Sequence, residues 1–156
     1  MSNRRYFFFV SQLGHLYPVE SAAQHPFGPT FLKERKFLDF FYTRIRRVGD
    51  ADIIDSKIWP FVSVCGRELN FVRSASKTPI VFQALTGSRL MFAEGAMSVP
   101  FHPEKLSLSE HGELYHDHEK LGPSLVASTV AYDLMQEFDD DLNGNVLWRG
   151  VKIGKI

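Results

Sequence analysis

The densest apolar run in this chain spans residues 58–73, IWPFVSVCGRELNFVR, and it is interrupted at one place, Cys65-Gly66-Arg67-Glu68. Trp59, Phe61, Val62 and Val64 lead in; Leu69, Phe71 and Val72 lead out. A Gly-Arg pair between two such runs predicts a two-residue hairpin loop, with Gly66 taking the positive φ that a type II′ turn needs first. A β-branched residue at that position is expected to cost about 1–2 kcal/mol, because its Cβ would clash.

The same patterning organises the rest. YFFFV at 6–10 reads as a strand, 11–14 as its turn and 15–19 as the returning strand. Pro26, Gly28 and Pro29 mark a loop, after which Thr30 is placed to cap a helix over 31–47. On that helix Phe37, Leu38, Phe41, Ile45 and Val48 form one apolar stripe, and Arg44, Arg46 and Arg47 suit the negative end of its dipole. After the central hairpin, 79–85 reads as a strand, Thr86-Gly87-Ser88 reverses it into 89–93, and 97–101 is short and extended. His111-Gly112 turns the chain into a strand over 113–116. Pro123 and Ser124 open a second helix with a stripe of Ala127, Val130, Ala131, Leu134, Met135 and Phe138, and 146–153 closes as a hairpin about Arg149-Gly150.

Gly14-His15-Leu16-Tyr17 and Gly112-Glu113-Leu114-Tyr115 each precede a loop, a helix and an apolar hairpin. The pattern predicts an α+β fold of antiparallel β-hairpins packed on two helices. It is expected to be a single domain, 1–156, arranged as a diverged internal repeat with units 6–73 and 112–153.

Composition narrows the function classes. A chain of 156 residues can bury roughly 68–70% of its unfolded surface and needs no staples. Eighteen basic and 18 acidic residues cancel, which argues against a broad phosphate-neutralising surface. The 14 phenylalanines suit an aromatic core or a face for a partner. One cysteine excludes an internal disulfide and fits a reducing compartment. No run of about 20 apolar residues is present to span a membrane. MSNRRYFFFV carries no small-residue cleavage site and reads as a strand entrance rather than a signal peptide.

Four segments resemble the uncharacterised protein family 0598: WPFVSVCGRELNFVR, FLDFFYTRIR, VPFHPEKL and GELYH. The resemblance runs from about residue 6 to the C-terminus and centres on Cys-Gly-Arg-Glu-x-Asn-Phe. It implies a eukaryotic protein associated with mitochondria, hence the matrix, and otherwise the cytoplasm; no Arg-rich presequence is visible in this chain. The order of elements is also similar to the bacterial domain of unknown function 1285, a fold of repeated motifs. That likeness is carried by the Val130-Ala131-Tyr132-Asp133-Leu134 helix and the Leu147-Trp148-Arg149-Gly150 end. Neither resemblance brings an activity or a catalytic residue with it.

Five groupings carry candidate chemistry. Cys65, beside Arg67, Glu68 and Arg73, is either an activated thiol or, as favoured, a small buried hydrophobe, since no histidine is near in sequence to serve as base. Gly66, Arg67, Glu68, Asn70 and Arg73 could form a polar recognition face in which Arg67 and Arg73 hold a carboxylate or phosphate, although strand alternation puts Glu68 and Asn70 on one side and Arg73 on the other; an Arg-Glu pair with an Asn closing the turn is favoured. His111, His116 and His118 could bind zinc or iron if the strand runs on past His116; a strand ending there leaves a solvated histidine loop, the favoured reading. Asp139-x-Asp141-x-Asn143-Gly144 matches the opening half of a calcium loop, but Gly150 stands where a bidentate Glu is required, so an Asn-Gly turn is favoured. Arg44, Arg46, Arg47 and Lys57 could touch RNA, though four cations on a neutral protein are explained by solvation.

These readings favour a non-catalytic binding or adaptor module that recognises a protein or a small anionic ligand through residues 65–73. The alternative is a metal- or thiol-dependent enzyme using His111–His118 or Cys65, and the second alternative is an RNA-binding accessory protein. No cofactor is identified; zinc or iron would belong to the enzyme reading.

Overall fold

The computed structural model describes residues 3–19 and 30–156; the loop expected at Pro26, Gly28 and Pro29 lies outside them. In chain order the elements are β1 (Arg4–Val10), β2 (Leu16–Val19), α1 (Arg35–Thr43), β3 (Ile45–Arg47), β4 (Phe61–Cys65) and β5 (Glu68–Ser74). There follow β6 (Val81–Phe82), β7 (Ala84–Thr86), β8 (Arg89–Phe92), β9 (Met97–Pro100), a 3-10 turn (Pro103–Lys105), β10 (Leu106–Leu108) and β11 (Leu114–His118). The chain finishes with β12 (Gly122–Val126), α2 (Ser128–Met135), β13 (Phe138–Asp140), β14 (Val146–Trp148), β15 (Val151–Lys152) and β16 (Gly154–Lys155).

The protein is mostly β, so the expected hairpins packed on two helices are corrected. Among the described residues the strands form four sheets, in the orders β2-β1-β5-β4-β3, β16-β10-β11-β12-β6, β13-β14-β15 and β7-β8-β9. Both five-stranded sheets are mixed. β1 runs parallel to β5, β6 to β12 and β16 to β10, so three pairings join strands that no hairpin connects. The main core lies where these sheets meet, with Val10, Leu16, Phe61, Val72, Phe82, Leu90, Phe92 and Leu106 buried in it. The helices only add to this core: nine-residue α1 buries Leu38, Phe41 and Tyr42, and eight-residue α2 buries Val130, Ala131 and Leu134. The opposite face of the first sheet has its own small cluster of Trp59, Val62 and Phe71, packed with Phe7, Val48 and Ile54.

Both helices are shorter than expected, for local reasons. Glu34, rather than Thr30, caps α1 by accepting the Phe37 amide on Oε2 at 2.7 Å. Ile45 then leaves the helix because its side chain is almost wholly buried in register with Ser63 of β4. At α2, the Pro123-Ser124 start fails because residues 122–126 pair with β11 and β6. The Ser124 hydroxyl is engaged there with the Thr78 hydroxyl at 2.7 Å.

The central hairpin forms as expected. Cys65 pairs with Glu68 across two turn residues, and Gly66 has φ +62 while Arg67 stays negative, the sign pattern of a type II′ turn.

Candidate functional site

Two hairpin turns of this protein are built alike. In the β1–β2 turn the Gly14 amide donates to the Ser11 carbonyl, the Ser11 amide to the His15 carbonyl, and the His15 amide to Ser11 Oγ, at 2.9, 3.0 and 3.2 Å. In the β10–β11 turn Gly112, Ser109 and Glu113 make the same three bonds at 3.0, 2.9 and 3.0 Å. Their surroundings differ. A Cβ on Gly112 would meet nothing within 4 Å, whereas one on Gly14 would stand 2.9 Å from both Gln83 Nε2 and Val81 Cβ. Only glycine lets the first turn sit against Gln83.

Gln83 breaks the strand expected over 79–85 into β6 and β7, and its side chain joins two turns. Nε2 donates to the Leu13 carbonyl at 3.0 Å and to Glu94 Oε1 at 3.1 Å, and Oε1 accepts the Glu94 amide at 2.9 Å. The β8–β9 turn that carries Glu94 has three successive left-handed residues, Ala93, Glu94 and Gly95, at φ +53, +56 and +82. For each of the two non-glycines that conformation costs about 1–2 kcal/mol. Strain of this kind persists where the surroundings over-determine it, and it clusters at ligand sites.

The strained turn sends the Glu94 carboxylate to His15, whose Nδ1 lies 2.6 Å from Oε1 across 79 positions of sequence. The imidazole lies flat on Phe31, with ring centres 3.8 Å apart and planes 15° apart. Nδ1 is thereby occupied, and Nε2 makes no hydrogen bond among the described residues. Glu94 also acts at longer range: burial first, and then its charge, pushes the Tyr42 hydroxyl well above the usual phenol range. Around this network is an open pocket of about 540 Å³, lined by Leu13, His15, Arg35, Gln83, Glu94 and Thr129. Arg35, exposed at the first position of α1, reaches the rim beside Gly95 and makes no ion pair among the described residues.

The sequence-predicted residues fall elsewhere. Asn70 is buried and donates from Nδ2 to the Ser63 carbonyl at 3.1 Å. Arg73 lies on the opposite face, its guanidinium 5.3 Å from the Trp59 ring centre. β5 is the middle strand of its sheet, so the 65–73 hairpin offers no free strand edge along that strand. Arg67 and Arg73 are separated by six strand positions, roughly 20 Å at about 3.3 Å each, and do not converge on one small anion. Glu68 pairs with Arg4 at 3.2 Å on the surface, and half-buried Cys65 has Ser63 Oγ 3.5 Å from its sulfur.

β11 continues to His118, two residues past the expected end, and puts His116 and His118 on one buried face. Both rings are engaged by the protein. His116 Nε2 accepts the His102 amide at 3.1 Å, which leaves Nδ1 as the donor to the Asp117 carbonyl at 2.8 Å. His118 Nδ1 accepts the Lys120 and Leu121 amides at 3.3 and 3.4 Å. Burial pushes both imidazoles below their usual range, so they are neutral. His111 is exposed in the turn before β11, 3.5 Å from Glu110. Among the described residues no three His, Cys, Asp or Glu side chains are grouped to hold a metal.

Asp141 closes its turn on itself, accepting the Asn143 and Asn145 amides at 2.8 and 2.9 Å. Three of the four cations offered for RNA, the arginines, have partners within the protein, and Lys57 is exposed. Arg46 grips Asp52 through two bonds of 2.9 and 3.1 Å, which with the Gly49 amide hold that carboxyl down to about 2. Arg47 donates to the Leu121 carbonyl at 2.9 Å, and Arg44 lies 3.6 Å from the Phe40 ring centre.

Reasoning from the sequence missed His15, Gln83, Glu94 and Arg35. The one available signal was the Gly14-His15 and Gly112-Glu113 echo, which marks the first turn but not what faces it.

The fold is that of two solved structures of DUF1285 family proteins. The protein from Silicibacter pomeroyi DSS-3 superposes with a TM-score of 0.58 at 14% identity, over 98% of this chain and 83% of that one. The protein from Shewanella baltica OS155 gives 0.53 at 16% identity, over 85% and 92%. The family itself is shown by sequence: the model of the domain of unknown function DUF4505 matches residues 1–147, and the chain belongs to that family. The family-0598 label is not confirmed by that match. No helix among the described residues is long and apolar enough to cross a membrane.

Proposed function

We propose that this protein is a non-catalytic binding module whose ligand is a small molecule with an acidic group, held in the pocket between the β1–β2 turn, the 93–95 turn and the start of α2. The observation that carries this is the His15–Glu94–Gln83 network. Two strained residues are maintained so that one carboxylate reaches one imidazole at 2.6 Å on the wall of an open pocket. Arg35 at the rim supplies a guanidinium suited to a carboxylate or phosphate. This pocket is preferred to residues 65–73 because Asn70 and Arg73 are turned to opposite faces of the sheet.

The test is NMR on the full chain with a panel of small carboxylates and phosphates, following the His15 ring and the Gln83 side-chain amide. The expected result is saturable shifts at both groups that weaken in Arg35→Ala. Shifts confined to another part of the molecule, or unchanged in Arg35→Ala, would remove the pocket from consideration.

One observation favours a second reading. A carboxylate on Nδ1 orients an imidazole whose Nε2 is open, which is the arrangement of a general base. That reading requires turnover of an ester or amide that His15→Gln abolishes and Thr129→Ala does not.

A further inference from the structure

A second hollow, of about 350 Å³, adjoins the polar pocket. Its walls are mostly apolar side chains from four elements, Leu13 of the first turn, Leu114 of β11, Leu125 of β12, and Ala131, Tyr132 and Met135 of α2, with Gln12, Glu113 and Ser128 the polar ones among them. Leu13 lines both hollows, and so does the first turn of α2, with Ala127 and Thr129 in the polar pocket and Ser128 in the apolar one. Leu13 and Tyr132 stand 58% and 67% exposed beside the apolar hollow, while Leu125 is only 8% exposed. Single exposed apolar residues are ordinary. Here two of them line one hollow, and it continues past Leu13 into a pocket with an arginine and a histidine.

We infer that the ligand is an amphipathic monocarboxylic acid, its carboxylate at Arg35 and His15 and its hydrocarbon chain laid past Leu13 into the trough between β11, β12 and α2. The inference rests on the pocket being the binding place and adds what fills its apolar side. The acid group answers the guanidinium at the rim, and the chain removes Leu13 and Tyr132 surface from water over a floor that includes Leu125. A purely polar ligand would leave the trough wet, and a purely apolar one would leave Arg35 unanswered.

The experiment titrates the full chain with acetate, inorganic phosphate, hexanoate, octanoate and decanoate, each below its micelle concentration, by calorimetry and amide NMR. Each methylene buried should tighten binding about fourfold, the equivalent of about 0.8 kcal/mol. Shifts should spread from His15 and Gln83 to Leu125, Ala131 and Tyr132 as the chain lengthens. Ser128→Trp, at an exposed helix position, should remove the chain-length gain while acetate binding stays; Gln12→Trp, exposed and on the wall of the apolar hollow alone, is the second variant, should the first alter α2. If acetate and decanoate bind equally and both shift only the polar pocket, the inference fails and the binding pocket stands. If neither acetate nor phosphate moves His15 or Gln83, the pocket reading itself fails. Tighter binding of an apolar dipeptide than of an acid of equal carbon number would overturn the choice of an acyl chain.

Discussion

The two matched turns allow a test of the site's architecture that needs no ligand. Gly14 and Gly112 have φ values of +84 and +82 in turns with the same hydrogen bonds, so replacing either with alanine incurs the same left-handed penalty. That penalty is about 1–2 kcal/mol. Only at Gly14 does the new methyl also meet neighbours, at 2.9 Å from Gln83 Nε2 and from Val81 Cβ. The Gln83 amide can swing away at the expense of its bonds to Leu13 and Glu94, but the Val81 Cβ is fixed by β6, whose pairing with β12 cannot shift alone. Overpacking of this kind costs about 1–3 kcal/mol. Gly14→Ala should therefore be about 1–3 kcal/mol less stable than Gly112→Ala. In a domain of this size, a difference near the middle of that range lowers the melting temperature by about 4–8 °C. Urea unfolding followed by tryptophan fluorescence measures both variants on one scale. Equal losses would refute the close approach of the first turn to Gln83, and with it the geometry that fixes Glu94.

Further consequences can be checked separately. Glu94→Gly should stay within about 1 kcal/mol of the parent, because relief of the left-handed strain offsets the lost hydrogen bonds, and the His15 ring should lose its fixed orientation, read as averaged ring shifts in NMR; a large loss of stability would make the carboxylate structural. Asn70→Ala should cost about 0.5–1.5 kcal/mol in urea unfolding by removing the side-chain bond to the Ser63 carbonyl, and an unchanged midpoint would show that the bond contributes nothing. The folded state keeps His116 and His118 neutral, below their ordinary value of 6.5. Their contribution is therefore complete above about pH 6.5 and is lost as pH falls from there through the folded values, because the unfolded chain takes up protons first. The slope is at most about 1.4 kcal/mol per pH unit for each ring; stability measured at pH 7.5 and 5.5 should show this dependence reduced in His118→Phe, and an identical slope would contradict it.

What the sequence made legible was chemistry between close neighbours. The turns at Gly66-Arg67, Gly87-Ser88 and Arg149-Gly150 are all present, because a glycine beside a polar residue between apolar runs states its own geometry. The ends of the helices were not legible. Ile45 belongs to β3 because of Ser63, and residues 122–126 are a strand because β11 pairs along them and β6 arrives from 44 residues earlier to pair with Leu125 and Val126. The site was hidden for the same reason. Its parts come from two turns, the break at Gln83 and the starts of both helices, and His15 meets Glu94 across 79 positions. Ala93-Glu94 carries no composition that announces a left-handed pair, which Asn or Gly would have done. The histidines were noticed, but their ring nitrogens are engaged by backbone groups that only the folded chain brings near.

The parallel pairing of β1 with β5 bears on how the chain assembles. Arg4 lies opposite Glu68 and Val10 opposite Ser74, so the first strand waits for a partner 64 residues further on. β10 likewise gains β16 only when residues 154–155 arrive, 47 positions further on. Early in synthesis β1 has β2 on one side and an open edge of YFFFV on the other, a segment of high β-propensity. Contacts this distant make folding slow, in the range of milliseconds to seconds for sheet-dominated topologies. β1 is thus the segment with most to gain from a chaperone, and Arg4 and Arg5 at the start of the strand are the charges that guard it from pairing with another copy.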